Sequence, residues 1–192
     1  MFIYYQMSKV SGVILAGGKS SRMGQDKGMM YFKGQPMVSW VIQCMKEITP
    51  YISISTNDHS YIKWGLPMIE DHEKEQGPLA GLISSLSQVS YEDVLVLSCD
   101  MPFVEPFVLQ RLLDESEGAE IVVPKIEGRV YPLCAYYKRS CLPKLKMLFE
   151  QGERRMQDVI KQFNCQEVSF SASYEHYFKN INTPREKELF EL

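Results

Sequence analysis

Val13-Ile14-Leu15-Ala16-Gly17-Gly18-Lys19-Ser20-Ser21-Arg22-Met23-Gly24-Gln25-Asp26-Lys27 is an apolar run that breaks into a basic, glycine-rich loop. A short continuous apolar segment bounded by glycines reads as a strand buried on both faces of a parallel sheet. Gly17 and Gly18 remove the side chains where the chain turns, so backbone N–H groups can come close to a ligand. Such a nest of amides binds anions, phosphate foremost. Lys19, Arg22 and Lys27 add cationic donors suited to a polyphosphate, and Arg22 can hold two oxygens at once.

Two better-known phosphate loops fail on spacing. Gly18-Lys19-Ser20 supplies the end of a G-x-x-x-x-G-K-[ST] loop, but the upstream glycine position is Val13. A dinucleotide fingerprint, G-x-G-x-x-G, has no register on this stretch.

Working outward, Pro36 opens an expected helix with Val38, Val41, Ile42, Met45 and Ile48 on one face. Tyr51 to Ser55 alternates as a strand and delivers Asn57 to its carboxyl end, where open α/β sheets bind ligands. Asn57 can read a base or ribose, or serve as an ordinary turn residue. Met68-Ile69 is a brief strand leading to Asp71. Pro78 starts a helix whose apolar face is Leu79, Leu82, Ile83, Leu86 and Val89. Gly81 inside it costs about 1 kcal/mol relative to alanine, which points to close approach by a ligand or a neighbouring strand.

Val94 to Ser98 is the clearest buried strand, and it brings Cys99-Asp100-Met101-Pro102 to the same edge as the glycine loop. A carboxylate at a strand end suits Mg²⁺, although aspartate there also caps helices, and a helical pattern follows from Val104 to Leu113. Ile121 to Pro124 and Tyr131 to Tyr137 read as strands around a polar turn, Lys125 to Val130, and introduce an antiparallel element. Leu142 to Phe149 and Met156 to Phe163 read as helices, and Glu167 to Phe170 as a strand. Arg154 and Arg155, adjacent after Gly152, can bind a terminal phosphate or stand exposed at a helix start. Thr183, Pro184 and Glu186 have the spacing of a capping box.

Taken in chain order, L-A-G-G-x-S-x-R-M-G-x-D-K, D...G-P-L-A-G, C-D-x-P, P-L-C-A-x-Y and N-x-N-T-P resemble the molybdenum cofactor guanylyltransferases, within the wider sugar-nucleotide pyrophosphorylase-like nucleotidyltransferases. The resemblance runs from Gly12 to Pro184. It implies transfer of GMP from GTP to the terminal phosphate of molybdopterin-bound molybdenum cofactor, with release of pyrophosphate. It implies nucleotide contacts from Leu15, Ala16, Gly17, Gly18 and Asp71, charge neutralisation by Arg22 and Lys27, and Mg²⁺ on Asp100. Asn182 is expected near Asp100, Arg155 on the acceptor phosphate, and the P-L-C-A-x-Y segment on the pterin side. L-A-G-G rather than L-A-A-G implies GTP rather than CTP. A cytidylyl or sugar-phosphate relative, and a catalytically silent module that delivers cofactor, are the competing readings.

The chain of 192 residues, 45% hydrophobic and 23% charged, is expected to form one α/β domain, a three-layer sandwich around a mainly parallel, Rossmann-like sheet of the nucleotide-diphospho-sugar transferase type. Residues 1–8 are readable as an N-terminal extension, with Met7 as an alternative start. A net charge of −3 argues against a sequence-independent grip on nucleic acid or on an acidic membrane surface. The sequence has no apolar run of about twenty residues. Five cysteines without a C-x-x-C pair read as reduced thiols, consistent with a cytoplasmic protein. Transient docking to molybdoenzymes or cofactor-insertion proteins completes the expectations.

Overall fold

The computed structural model describes residues 9–17, 26–71 and 77–191. Strand β1 spans Val10–Leu15 and is buried along its whole length. Its side chains alternate between two cores, as period-2 geometry requires. Val10 and Ile14 join one core with helix α1 (Met37–Lys46). Val13 and Leu15 join the other with helix α2 (Pro78–Gln88). Gly12 faces α1, and a Cβ there would stand 2.7 Å from Met45 Cγ, so the glycine is what lets strand and helix close together.

The main sheet is eight-stranded, in the order β10 (Cys165–Ser169), β7 (Ile121–Ile126), β9 (Cys134–Lys138), β6 (Asp93–Ser98), β1, β4 (Ile52–Ser55), β5 (Met68–Ile69), with β8 (Arg129–Val130) paired to β7. Strand β9 runs antiparallel to both β6 and β7. The pairs β1–β4, β1–β6, β4–β5 and β7–β10 are parallel, so β1, β4, β5, β6, β7 and β10 all end on one edge. Helices α1 and α3 (Pro106–Asp114) cover one face. Helices α2, α4 (Leu142–Glu150) and α5 (Met156–Ile160) cover the other, which completes the expected three layers. Among the described residues, no helix is long and apolar enough to cross a membrane.

Several boundaries differ from the sequence pattern for local reasons. Pro36 caps α1 and belongs to the two-residue strand β3 (Gln35–Pro36), which pairs with β2 (Tyr31–Phe32). The turn expected from Lys125 to Val130 shrinks to Glu127-Gly128, both at positive φ, because Lys125 and Ile126 pair with Val130 and Arg129. Strand β9 starts only at Cys134, since Cys134 N–H turns back to the Tyr131 carbonyl at 3.0 Å. Gly81 is approached by strands: a Cβ there would meet Ser55 Oγ at 3.3 Å and Leu15 Cδ2 at 3.7 Å.

Candidate active site

The parallel strands converge on a site at their carboxyl edge. β6 ends at Ser98, and the tight turn after it presents Asp100, which is 8% exposed. The hydroxyl of Ser98 donates to Asp100 Oδ1 at 2.7 Å, and the Asn180 amide donates to the same oxygen at 3.0 Å. Two donors on one oxygen fix the carboxylate's orientation. The other oxygen, Oδ2, accepts from Lys27 Nζ at 3.3 Å, and Lys27 also donates to Asn182 Oδ1 at 2.7 Å. An ammonium carries three protons, and two are engaged here, so one is left among the described residues for a ligand.

Chain segments far apart in sequence are tied to this point by backbone bonds. Ile181 N–H donates to the Asp100 carbonyl at 2.9 Å, and the Ile181 side chain is fully buried against Met30, Phe32 and Met37. Its neighbours Asn180 and Asn182 therefore both turn to the Asp100 side. The capping box forms as its spacing predicts, with Glu186 N–H on Thr183 Oγ1 and the Glu186 carboxylate on the N–H groups of Thr183 and Asn182. That carboxylate also orients Asn182.

A cavity of about 220 Å³ opens on one side of Asp100, lined among others by Gly17, Thr56, Asn57, Asp71, Gly77 and Ser98. A second, of about 390 Å³, lies on the side of the two asparagines and includes Arg129, Tyr131, Lys179, Asn180, Asn182 and Glu186. A larger hollow of about 850 Å³ sits at the amino edge of β1 and β6, between α1 and α3. It shares no residue with the Lys27–Asp100 cluster, so size does not select the site.

Lys27, Asp100 and Asn182 thus meet directly, while Asn57 and Asp71 meet each other. The Asn57 amide donates to the Asp71 carbonyl at 3.2 Å, and its carbonyl accepts from Asp71 N–H at 2.9 Å. Both ends of Asn57 are spent on shaping the Asp71 turn, and Ser84 Oγ donates to Asp71 Oδ1 at 3.1 Å. Leu15 lines the smaller cavity with its side chain, but the Leu15 carbonyl and the Ala16 N–H are taken by Cys99 and Ser55 within the sheet. Gly17 is the first loop residue open to the cavity. Gly18 and Arg22 lie outside the described residues. Arg155 heads α5 at the same sheet edge, exposed, and lines neither cavity. Of the P-L-C-A-x-Y segment, Cys134 to Tyr137 is core, Leu133 lines the smaller cavity and Tyr131 just before it lines the second.

Sequence reasoning passed over Ser98 and Asn180. The signal was there in N-x-N: residues two apart in extended chain face the same way. Among the described residues no three His, Cys, Asp or Glu side chains gather around a point a metal could take. The cysteines are removed from the chemistry by burial, which pushes the Cys44 and Cys141 thiols up to about 12.

The fold is that of the nucleotide-diphospho-sugar transferases, with an Asp–Lys–Asn cluster at the sheet edge where such folds bind nucleotide. The chain belongs to the MobA-like NTP transferase domain family, whose model matches residues 12–168. A probable molybdenum cofactor guanylyltransferase of Clostridium perfringens is 34% identical, over 95% of this chain and 96% of its own. One of Flavobacterium johnsoniae is 33% identical, over 94% and 95%. The crystal structure of the molybdopterin-guanine dinucleotide biosynthesis protein A from Archaeoglobus fulgidus superposes with a TM-score of 0.78, at 26% identity, covering 94% of this chain and 96% of that one.

Proposed function

We propose that the protein transfers GMP from GTP to the terminal phosphate of a molybdopterin-type molybdenum cofactor, forming the guanine dinucleotide and releasing pyrophosphate. The observation that carries this reading is the cluster in which Lys27 bridges Asp100, on the wall of the smaller cavity, and Asn182, on the wall of the second, with the names of the family's relatives supplying the substrates. GTP occupies the smaller cavity, with its ribose and base toward Asp71 and its phosphates over Gly17. The acceptor enters the second, its phosphate near Lys179 or Arg129. An acceptor phosphate oxygen attacks the α-phosphorus, a new phosphoanhydride bond forms, and the bond to the pyrophosphate oxygen breaks.

No protein nucleophile is needed, because the acceptor is already anionic. The protein's part is positioning and charge neutralisation. Lys27 places its unengaged proton on the phosphates, and Asn182 holds the ammonium in place. Arg22 is assigned the same electrostatic task.

The donor set fits Mg²⁺. Asp100 brings a carboxylate, a hard oxygen donor, to the wall of the smaller cavity, and Mg²⁺ usually takes one or two carboxylates, substrate phosphates and water. Asp100 would hold it, and the ion would neutralise charge on the phosphates when bound.

The test is pyrophosphate release with molybdenum cofactor and Mg²⁺, offered GTP, CTP or ATP separately. Cofactor-dependent release with GTP alone is the expected result. Release with CTP alone would move the protein to the cytidylyl relatives, and absence of release with all three would overturn the enzymatic reading.

A further inference from the structure

We infer that Tyr61 is a positioning residue for Lys27, acting through Asp26; the inference rests on the reading of Lys27 as the phosphate contact. Tyr61 belongs to the 3₁₀ helix His59–Trp64 and is fully buried. Its hydroxyl donates to Asp26 Oδ1, and the same oxygen accepts Met29 N–H at 3.2 Å. A buried tyrosine hydroxyl needs a partner, and here the partner is the residue beside Lys27.

The turn is held at both ends. Met30 N–H donates to the Lys27 carbonyl at 3.1 Å, and Val38 N–H, on α1, donates to the Gly28 carbonyl at 3.0 Å. Gly28 is the one residue type that fits: a Cβ there would overlap the Tyr61 hydroxyl. The 3₁₀ helix is itself fixed to α1, since Trp64 Nε1 donates to Ser39 Oγ at 3.2 Å. Lys27 therefore springs from a turn clamped on each side, and the clamp sets where its ammonium ends, 3.3 Å from Asp100. Burial, with the nearby Cys99 and Asp26, raises the Tyr61 phenol well above its ordinary range, so the hydroxyl stays a donor at neutral pH.

This role separates from simple core packing in the Tyr61→Phe variant, which keeps the ring and loses the hydroxyl. At a temperature where it is folded, its kcat is expected to fall about ten- to a hundredfold, the scale of a displaced catalytic group, with KM for GTP within about twofold of wild type. Amide hydrogen exchange should speed up at residues 26–30 and stay unchanged in β6. Gly28→Ala should lower the melting temperature of the wild type sharply and that of the Tyr61→Phe background much less. Unchanged kcat and exchange in Tyr61→Phe, or an equal cost of Gly28→Ala in both backgrounds, would overturn the inference. A wild type that releases no pyrophosphate would instead remove the proposed function, with exchange and the Gly28 comparison still deciding the clamp.

Discussion

Lys27 and Asp100 stand 73 residues apart in the chain and 3.3 Å apart at the carboxyl edge of the sheet. The pair is partly open to solvent, so it adds little to stability as an ion pair. On the proposed reading its value lies in presenting an ammonium to a ligand. Lys27→Met keeps most of the stem and removes the charge; kcat for pyrophosphate release should drop by about 10²- to 10³-fold, as for other lost electrostatic donors. The melting temperature should hardly move. Steady-state kinetics together with a thermal melt check both halves.

Asn57 gives the opposite pattern. Its amide closes a two-bond ring with the main chain of Asp71. Asn57→Ala removes both bonds at about 1 kcal/mol of turn ordering, equivalent to roughly a fivefold rise in KM for GTP. Because Asn57 is away from the Lys27–Asp100 cluster, kcat should be unchanged. A fall in kcat at saturating GTP would contradict the assignment.

Gly12 tests the contact between β1 and α1. A Cβ there would stand 2.7 Å from Met45 Cγ, 2.8 Å from its sulfur and 3.2 Å from Thr49 Cγ2. Gly12→Ala should destabilise by about 1–3 kcal/mol through overpacking. Urea denaturation reads that as a lower midpoint, while activity per folded molecule is retained.

The buried thiols predict alkaline lability. Burial raises Cys44 and Cys141 from 9.0 to about 12, and Cys165 to about 11. A thiol that keeps its proton when folded and loses it when unfolded makes unfolding release protons at high pH. This contribution is intact below about pH 9, the unfolded value, and is lost as pH climbs toward the folded values. Melting temperatures should fall progressively between those limits, and Cys165→Ser should soften the first part of the decline.

Much of this site could be read before the fold was known. The buried strand that ends just before Gly17, Asp100 at the end of Val94 to Ser98, and the Thr183–Glu186 box all depend on local spacing, which survives folding intact. What was hidden depends on juxtaposition. Nothing local in Cys134 to Lys138 says that this strand inserts antiparallel between β6 and β7. Asn57 has the chemistry to read a base, and only the neighbouring strand end shows both its groups occupied by Asp71. Tyr61 sits beside Ile62 in an otherwise polar stretch, His59 to Lys63, and its hydroxyl acquires meaning through Asp26, 35 residues earlier. The hairpin of β2 and β3, with two residues in each strand, is too short to leave a periodic trace.

The asparagines that orient Lys27 and Asp100 follow the last strand of the sheet. Strand β10 ends at Ser169, whereas Asn180 and Asn182 come later and are seated by Ile181 and Glu186. During synthesis the ribosome therefore delivers every strand before it delivers the finishing groups of the site. A nascent chain interrupted after Ser169 has every strand of the described sheet and neither asparagine, so translation supplies the architecture first and the last polar groups of the candidate site afterwards.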